Sequence, residues 1–408
     1  MTNNQTLSLE PYTAIALSSL NKGESLLENI LLSIPELQPR KVDKPIVLYG
    51  AGNLGKMAKG FFDYLNIPFL YVVDRNAEEH KTDGYWQGTR IIHPDYVDAA
   101  DKKNVLLVIC IVTTPLIALR DELIAAGWKD IAFFYDVSEA YSNRHPISNG
   151  WFLSKPSDID KELIRKVYSS INDSVSHMYY LQFLAWHTHR TELLFSEIEI
   201  NTSNRFFIPE VVSILNSYEV FIDCGAHKGF VTERFLKTVK STYKNIYAIE
   251  PDNENIESCK LVLNGTKDIM IMRYALSDRN GEENFYQGFD FASKLSNSGN
   301  TKVKTISLDR LNIPATFIKM HLEGGELSAL KGALHTIQKY RPVMAITIYH
   351  NFDGVWRIPL FLMENAKDYK YYMRLHSWGG TGAVLYAIPK ERYKNGTGEY
   401  KNIMGGFA

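Results

Sequence analysis

The amino-acid sequence predicts a two-domain α/β protein. Three observations support this fold class: short apolar runs alternate with helical stretches twice along the chain, a segment without strand signals separates the two series, and the second series ends in a hairpin pattern. Apolar runs without polar alternation are typical of strands that are buried on both faces of a parallel sheet. The 408 residues are enough for two or three domains. We therefore predict two Rossmann-like domains joined by a helical connector.

The first series of elements covers residues 41–145 and follows a predicted N-terminal helical arm at residues 1–40. Within the arm, the apolar residues of 12–34 have a spacing compatible with one helical face, although Gly23 interrupts it. The strands of the first domain are predicted at PIVLYG, PFLYVVD, NVLLVICIV and DIAFFYD, and its helices at NLGKMAKGFFDYLN and PLIALRDELIAAG. Strands and helices that alternate in this way imply right-handed crossovers within one sheet.

The connector is predicted at residues 146–204, and the second domain at residues 205–408. The polar and aromatic residues 158–196 have helical spacing and carry no strand signal. Strands of the second domain are predicted at EVFIDCG, NIYAIEPD, IMIMRYALSD, TFIKMHLE and PVMAITIYH, and YKYYMRLHS and AVLYAIP flank the turn WGGTG. A mostly parallel sheet that ends in an antiparallel hairpin suggests a methyltransferase-type sheet rather than a dinucleotide dehydrogenase.

Composition excludes several classes of protein. Lys and Arg number 45 against 46 Asp and Glu, so no basic excess is available for a phosphate backbone and we predict no nucleic-acid partner. The longest aliphatic run, Val105 to Val112, is far shorter than a membrane helix of ~20 residues. Cys110, Cys224 and Cys259 share no CxxC spacing, which argues against a disulfide framework. The start of the chain lacks the basic and apolar regions of a secretory signal, so we expect a cytoplasmic protein.

A glycine-rich loop follows the first strand of the first domain and begins a helix. Its residues are Gly50, Gly52, Asn53, Leu54 and Gly55, and Asp74 closes the next strand. Three glycines allow a tight turn, close approach to a phosphate and close packing of the helix, and the acid suits a ribose hydroxyl. The loop is compatible with NAD(P), with a nucleotide or nucleotide-sugar, or with a structural turn that binds no ligand.

A second glycine loop follows the first strand of the second domain. It runs from Asp223 through Gly225 and Ala226 to Gly229, and Glu250 ends the next strand. Two glycines do not encode the close pyrophosphate approach of the first loop. S-adenosylmethionine has no pyrophosphate, and it needs a glycine beside its amino-acid tail and an acid for its ribose hydroxyls. The alternative is a second dinucleotide loop or a structural loop.

Several segments in the second domain together resemble one family. They are FIDCGAHKGFVT, IYAIEPD, ALSDRNGEENF, VKTISLDRL, FIKMHLEGGELSALKGA, ITIYHNFDGVWRIP and RLHSWGGTGAVLYAI. In this order and spacing, residues from about 205 to 390 resemble the FkbM family of S-adenosylmethionine-dependent methyltransferases. The resemblance implies a class I methyltransferase sheet and O-methylation of a sugar or polyketide-type hydroxyl. The connector and the first domain resemble the N-terminal extension of some members.

The resemblance also implies site residues. Asp223, Gly225, Ala226 and Gly229 would line the methionine end of the cofactor, Glu250 would hold the ribose, Ala275 and Leu276 would border the adenine, and Asp278 would reach its amino group. Lys319, Glu323 and Glu326 match the family's Lys-x-Asp-x-Glu-Gly-x-Glu stretch. The chain departs from that stretch at His321, where the family usually has Asp.

The candidate catalytic residues follow two strands of the second domain. His321, Glu323 and Lys319 belong to the end of the fourth strand, and His350 follows the fifth. Ligands of open α/β sheets bind beyond the carboxyl ends of the strands, so these side chains should converge there. His321, before His350, is our candidate for the base that takes a hydroxyl proton. A divalent metal on His321, Glu323 and His350 is an alternative, but these ligands form no compact motif, so no metal site is assigned.

We therefore predict an S-adenosylmethionine-dependent methyltransferase that acts on a small-molecule or carbohydrate acceptor, with the hydroxyl of a sugar, nucleotide-sugar or polyketide as the methylated group. One alternative is an NAD(P)-dependent or nucleotide-sugar-modifying enzyme that uses the loop Gly50–Gly55. A further alternative is a protein that binds the cofactor without turnover. The sequence does not specify the oligomeric state.

Overall fold

The computed structural model describes residues 7–145, 147, 151, 154–286, 294–295 and 299–393. Residue 146, where the connector is predicted to begin, lies outside the described residues. The described chain is of the mixed α/β class, and its two larger sheets contain five and seven strands. This confirms the predicted fold class.

The N-terminal arm differs from the prediction. It contains strand β1 (Ala14–Leu17) and helix α1 (Gly23–Leu32) instead of one helix over 12–34. Ile15 and Leu17 pack on the core while Ala14 and Ala16 are exposed, which is the period of a strand. Gly23 therefore begins the helix and does not interrupt it.

The first domain contains a parallel sheet with helices on both faces. Its elements are β2 (Ile46–Tyr49), α2 (Asn53–Leu65), β3 (Phe69–Val73), α3 (Ala77–His80), β4 (Ile91–Ile92), α4 (Asp101–Asn104), β5 (Leu106–Ile109), α5 (Leu116–Ala125), β6 (Ile131–Phe133) and α6 (Phe134–Glu139). The strand order is β4-β3-β2-β5-β6, and every pair is parallel. Alternate residues of β2 belong to the cores on opposite faces. The winding direction reverses between β2 and β5, where such sheets form a crevice.

The connector contains α7 (Asp158–Ser170), α8 (Ser174–His189) and the strand β7 (Glu192–Phe195). No strand was predicted here, and β7 pairs in parallel with β1 from the distant N-terminal arm. Helix α8 is buried on all sides. It packs on the sheet of the second domain and on α1, and its Trp186 contacts Phe133 of the first domain. Helix α8 is thus part of the core of both domains.

The second domain is built on a seven-stranded sheet. Its elements are α9 (Pro209–Val212), β8 (Val220–Cys224), α10 (Phe230–Thr238), β9 (Asn245–Ile249), α11 (Asn253–Val262), β10 (Ile269–Met272), β11 (Ala275–Leu276), β12 (Gly281–Tyr286), β13 (Lys294–Leu295), β14 (Thr301–Ile306), α12 (Leu308–Leu311), β15 (Phe317–Met320), α13 (Glu326–Lys331), α14 (Leu334–Tyr340), β16 (Val343–Thr347), α15 (Gly354–Asn365), β17 (Tyr369–Leu375) and β18 (Ala383–Pro389). The order is β10-β9-β8-β15-β16-β18-β17, with β18 antiparallel to both neighbours. Strands β11 to β14 form a separate small sheet.

The two domains contact each other directly as well as through α8. At the turn between β17 and β18, the N–H of Trp378 donates to the carbonyl of Val112 in the first domain over 2.8 Å. At the end of α8, Arg190 Nε donates to Asp136 Oδ1 over 3.0 Å, and these side chains are 1% and 6% exposed. No described helix has the length and apolar character to cross a membrane.

We predict that Asp136→Ala destabilises the protein by ~3–5 kcal/mol, because the buried guanidinium of Arg190 would lose its counter-charge. The measurement is chemical denaturation followed by tryptophan fluorescence and circular dichroism. The control is Asp43→Ala, which removes an exposed partner of Arg40 and should leave the denaturation midpoint nearly unchanged. Equal effects of the two substitutions would contradict the structural role of the buried pair.

Candidate active site

Two adjoining cavities lie at the carboxyl ends of the two large sheets. The first, called the sheet cavity, measures about 520 Å³ and is lined by residues that follow β8, β9 and β15, including Gly225, Glu250 and His321. The second, called the interdomain cavity, measures about 550 Å³ and lies between the loop after β2 and the ends of β15 and β16. Five residues line both cavities: Asn53, Thr202, Arg205, His321 and Glu323. The cavities therefore adjoin at this shared wall.

A buried ion pair supports the glycine loop after β8. Asp223 and Lys319 are cross-strand partners on β8 and β15. Lys319 Nζ donates to Asp223 Oδ1 over 2.8 Å and to the carbonyl of Gly225 over 2.7 Å. Thr232 Oγ1 donates to the other carboxylate oxygen of Asp223. These contacts favour a positioning role for Asp223 and Lys319, although Lys319 was predicted among the catalytic residues.

The loop approaches the neighbouring strand too closely for a side chain at position 225. Gly225 has φ +74°, and a Cβ there would lie 2.0 Å from the carbonyl oxygen of His321. The N–H groups of Gly225 and Ala226 both donate to the carbonyl of Ile249 at the end of β9. Only glycine satisfies both the backbone conformation and the contact. The loop is thus held against β9 and β15, the two strands that flank β8.

Glu250 lies at the rim of the sheet cavity, directly after β9. Its carboxylate accepts hydrogen bonds from the N–H of His227 over 2.9 Å and from the N–H of Asp252 over 3.0 Å. Burial raises the pKa of this carboxyl group. Two oxygens offer about four acceptor sites, so sites remain for hydroxyl donors in the cavity.

The other predicted cofactor residues divide into two groups. Ala226, Ala275 and Leu276 line the sheet cavity. Gly229 lies behind the loop against Cys259, outside the lining of the cavity. Asp278 also lies outside the lining, where its Oδ1 accepts a hydrogen bond from Ser328.

The glycine loop of the first domain faces the interdomain cavity. Gly50, Gly52, Asn53, Leu54 and Asp74 line it. Gly55 lies behind them, where a Cβ would be 2.1 Å from the carbonyl oxygen of Gly50. Asp74 accepts hydrogen bonds from the N–H of Ala51 and from that of Asn76, each over 2.7 Å. The sheet's crevice between β2 and β5 thus opens toward the second domain.

Three side chains meet at the boundary of the two cavities and are called the histidine cluster: His321, Glu323 and His350. His321 Nε2 lies 3.2 Å from His350 Nε2 and 2.8 Å from Glu323 Oε1. His350 Nε2 lies 3.4 Å from the same Glu323 oxygen. Glu323 has φ +50°, a rare backbone conformation that occurs often at functional sites. The turn after β15 thereby directs its carboxylate back toward both imidazoles.

Glu326, the first residue of α13, stabilises the histidine cluster through hydrogen bonds. Its Oε1 accepts from the N–H of Leu322 and from Thr347 Oγ1, and its Oε2 accepts from the N–H of Gly324. The same Oε1 lies 2.7 Å from His350 Nδ1. Glu326 is buried and lies outside the lining of both cavities. Glu326 therefore does more than stabilise the N-terminus of α13, because it also holds the turn after β15 and the imidazole of His350.

The charges of the cluster affect each other strongly. Burial lowers the pKa of His321 to about 3, which favours a neutral imidazole. Burial also opposes charge on His350, but the carboxylates of Glu323 and Glu326 outweigh it and raise the pKa of this imidazole. Despite burial, the charge of His350 lowers the pKa of Glu326 to about 2 and that of Glu323 well below its usual range. The carboxylates of Glu323 and Glu326 thus stabilise a positive charge at the position of His350.

Sequence reasoning missed two residues of the shared wall, Thr202 and Arg205. Arg205 donates from Nη2 to the hydroxyl of Tyr349 over 3.2 Å, and its Nε has no hydrogen-bond partner among the described residues. Both residues lie where the connector meets the second domain, outside the recognised motifs. The only sequence signal for either residue was the basic side chain of Arg205 at the boundary between the connector and the second domain.

Part of the second domain matches a known family. Residues 223–374 match the family described as Methyltransferase FkbM domain. This match confirms the resemblance found in the sequence motifs for that part of the chain. A search of curated proteins gave no match.

One solved structure has a similar fold over most of this chain. The methyltransferase FkbM from Methylobacillus flagellatus KT aligns with 90% of this chain and 98% of its own, with 19% identity and a TM-score of 0.59. An rRNA methylase from Streptococcus thermophilus covers 44% of this chain and 90% of its own, with 14% identity and a TM-score of 0.29. A precorrin-6y C5,15-methyltransferase from Geobacter metallireducens GS-15 covers 44% and 88%, with 14% identity and a TM-score of 0.28. At 19% identity, the similarity to the methyltransferase FkbM structure concerns the fold alone.

We predict that Gly225→Ala destabilises the protein more than Gly265→Ala does. Both glycines have φ above +70°, but a Cβ at Gly265 would meet no atom within 4 Å. The control therefore carries only the conformational penalty of ~1–2 kcal/mol, and the excess at Gly225 reports the collision with the His321 carbonyl. Thermal unfolding measures both, and equal losses would contradict the close approach.

Proposed function

We propose that this protein is an S-adenosylmethionine-dependent O-methyltransferase whose acceptor binds in the interdomain cavity. One observation carries the proposal: the sheet cavity, with its glycine loop and Glu250, adjoins the interdomain cavity at the histidine cluster. A methyl donor in the first cavity and a hydroxyl in the second would meet at this boundary.

The sheet cavity fits the parts of S-adenosylmethionine. Gly225 lines the cavity, so its backbone is accessible to the amino-acid tail. The carboxylate of Glu250 has acceptor sites for the two ribose hydroxyls. Ala275 and Leu276 offer apolar surface for the adenine ring, and both line the cavity.

In the proposed reaction, the acceptor oxygen forms a bond to the methyl carbon while the bond between sulfur and methyl breaks. The sulfur keeps the electron pair and leaves as the thioether of S-adenosylhomocysteine, and the hydroxyl proton leaves through the histidine cluster. Holding the reactants in line contributes roughly 7–11 kcal/mol. Removal of the proton contributes roughly 10²–10⁴-fold.

The interdomain cavity favours a polar acceptor that carries an anionic group. Thr113, Ser377 and Thr381 supply hydroxyls to its lining, and Tyr349 supplies an aromatic face. Helix α2 begins at Asn53 without a side-chain cap, so its first N–H groups are available to a phosphate. Arg205, which lines the same cavity, adds a positive charge. We therefore propose the hydroxyl of a sugar or nucleotide-sugar, with its phosphate near the loop Gly50–Gly55.

The donor site predicts that Glu250→Gln weakens S-adenosylhomocysteine binding roughly 10–100-fold, because hydrogen bonds to a charged acceptor are worth ~1.5–3 kcal/mol. Calorimetric titration of the intact protein measures this. Glu254→Gln, an exposed change on the neighbouring helix, should bind as the unchanged protein does. NAD is titrated in parallel, and binding of NAD without S-adenosylhomocysteine would contradict the proposal and favour an enzyme that uses the loop Gly50–Gly55.

The acceptor site predicts that His321→Ala keeps its affinity for S-adenosylhomocysteine but loses roughly 10²–10⁴-fold in methyl transfer. Transfer is measured as label from S-adenosyl-[methyl-³H]methionine into a panel of sugars and nucleotide-sugars. His93→Ala is the matched control, because His93 is a surface histidine with an acidic neighbour and lies outside both cavities. Unchanged transfer in His321→Ala, or label on nitrogen or carbon only, would contradict the assignment.

A further inference from the structure

The histidine cluster brings three electron-pair donors to one point. The contacting atoms are His321 Nε2, Glu323 Oε1 and His350 Nε2, at mutual distances of 2.8, 3.2 and 3.4 Å. Protons shared among these atoms hold them together where no ion is bound. A cation that binds all three satisfies them together.

Two of these distances, 3.2 and 3.4 Å, match those between ligands of one metal ion, and the third, 2.8 Å, is slightly shorter. Ligand atoms about 2.1 Å from a shared ion lie about 3.0 to 3.4 Å apart at octahedral or tetrahedral angles. The three donors come from two strand ends and one turn, and the turn places Glu323 at φ +50°. The convergence therefore does not follow from packing within a single element.

The surroundings have the form expected around a metal-binding histidine. A histidine ligand usually donates its second N–H to a carboxylate, which fixes its tautomer and orientation. His350 Nδ1 lies 2.7 Å from Glu326 Oε1, and Glu326 is itself held by two backbone N–H groups and Thr347. A proton on Nδ1 satisfies this contact, so a cation at the cluster would replace the proton of His350 Nε2 and take its lone pair.

We propose that His321, Glu323 and His350 bind a divalent transition-metal ion at the boundary of the two cavities. Two imidazoles and one carboxylate favour ions such as Fe²⁺, Co²⁺ or Zn²⁺ over Mg²⁺ and Ca²⁺, which prefer oxygen ligands. The side chains of His321 and Glu323 are 23% and 24% exposed, and both line the two cavities. Three protein ligands leave coordination positions open toward the interdomain cavity, as in catalytic sites.

The role of this ion rests on the proposed function, whereas its binding does not. An ion beside the acceptor would bind the hydroxyl oxygen and lower the pKa of the hydroxyl, so that the proton leaves to solvent before or during methyl transfer. The cluster would then act on the acceptor through the ion. His321 and His350 would be ligands rather than a general base.

The test uses Co²⁺ as a spectroscopic probe. The full-length protein is freed of metal with a chelator, and Co²⁺ alone is added while visible absorption is recorded. We expect one equivalent to saturate ligand-field bands that Zn²⁺ abolishes and Mg²⁺ leaves unchanged. His321→Ala and Glu323→Gln should each lose the bands at one equivalent, and His93→Ala should retain them. Glu326→Gln should weaken Co²⁺ binding roughly 10–100-fold without removing it, as expected of a residue that orients a ligand.

Absence of saturable bands in the unchanged protein, or their full retention in both ligand variants, would overturn the proposal. Thermal unfolding of each variant without metal shows whether it folds, and the two ligand variants change different residues, so one misfolded variant leaves the test intact. S-adenosylhomocysteine binding is titrated on the metal-free protein. Donor binding without Co²⁺ binding would refute the metal site alone, and the converse would refute the proposed methyl-donor site alone.

Discussion

The geometry of the site depends on one buried carboxylate, that of Glu326. Two backbone N–H groups of the turn after β15, the hydroxyl of Thr347 on β16 and the imidazole of His350 all converge on it. Loss of these partners would leave the buried carboxylate unpaired and would destabilise the protein by several kcal/mol. The turn and the ends of β15 and β16 are therefore held in one arrangement. Glu323 and His321 belong to that turn and strand end. The geometry of the histidine cluster is therefore set by Glu326, a residue that lines neither cavity.

The second constraint is the position of the two sheets relative to each other. Each sheet has its crevice at the carboxyl ends of the strands where the winding reverses, between β2 and β5 and between β8 and β15. Helix α8 is part of both cores, and the buried pair of Arg190 and Asp136 ties its end to the first domain. The two crevices consequently face a common space. The glycine loop of the first domain then forms one wall of the interdomain cavity, and the histidine cluster forms another.

The sequence predicted those features that depend on local pattern. Apolar strands, glycine loops and the terminal hairpin each carry a signal within about ten residues. It missed the pairing of β1 with β7, because that contact joins residues far apart in the chain, such as Ala14 and Glu192, and each strand has only four residues. The sequence also does not reveal that the cross-strand register sets the ammonium of Lys319 against Asp223 beneath the loop, and the catalytic role of Lys319 stays a prediction. Register is a property of the assembled sheet, so no local pattern reveals it.

The presence of His321 in place of the motif's usual Asp changes the donor atoms of the cluster. The motif that this stretch resembles usually has Asp where His321 stands. An Asp there, with Glu323, would make the convergent donors mostly oxygen, which suits hard ions such as Mg²⁺ or no ion at all. His321 instead pairs a second imidazole nitrogen with that of His350, 3.2 Å away, while Glu323 supplies the single oxygen. A single residue thus changes the donor set from oxygen-rich to nitrogen-rich, and with it the class of cation that the cluster suits. The backbone of the site needs no change for this, because the positions of both strand ends are set by Glu326 and not by residue 321.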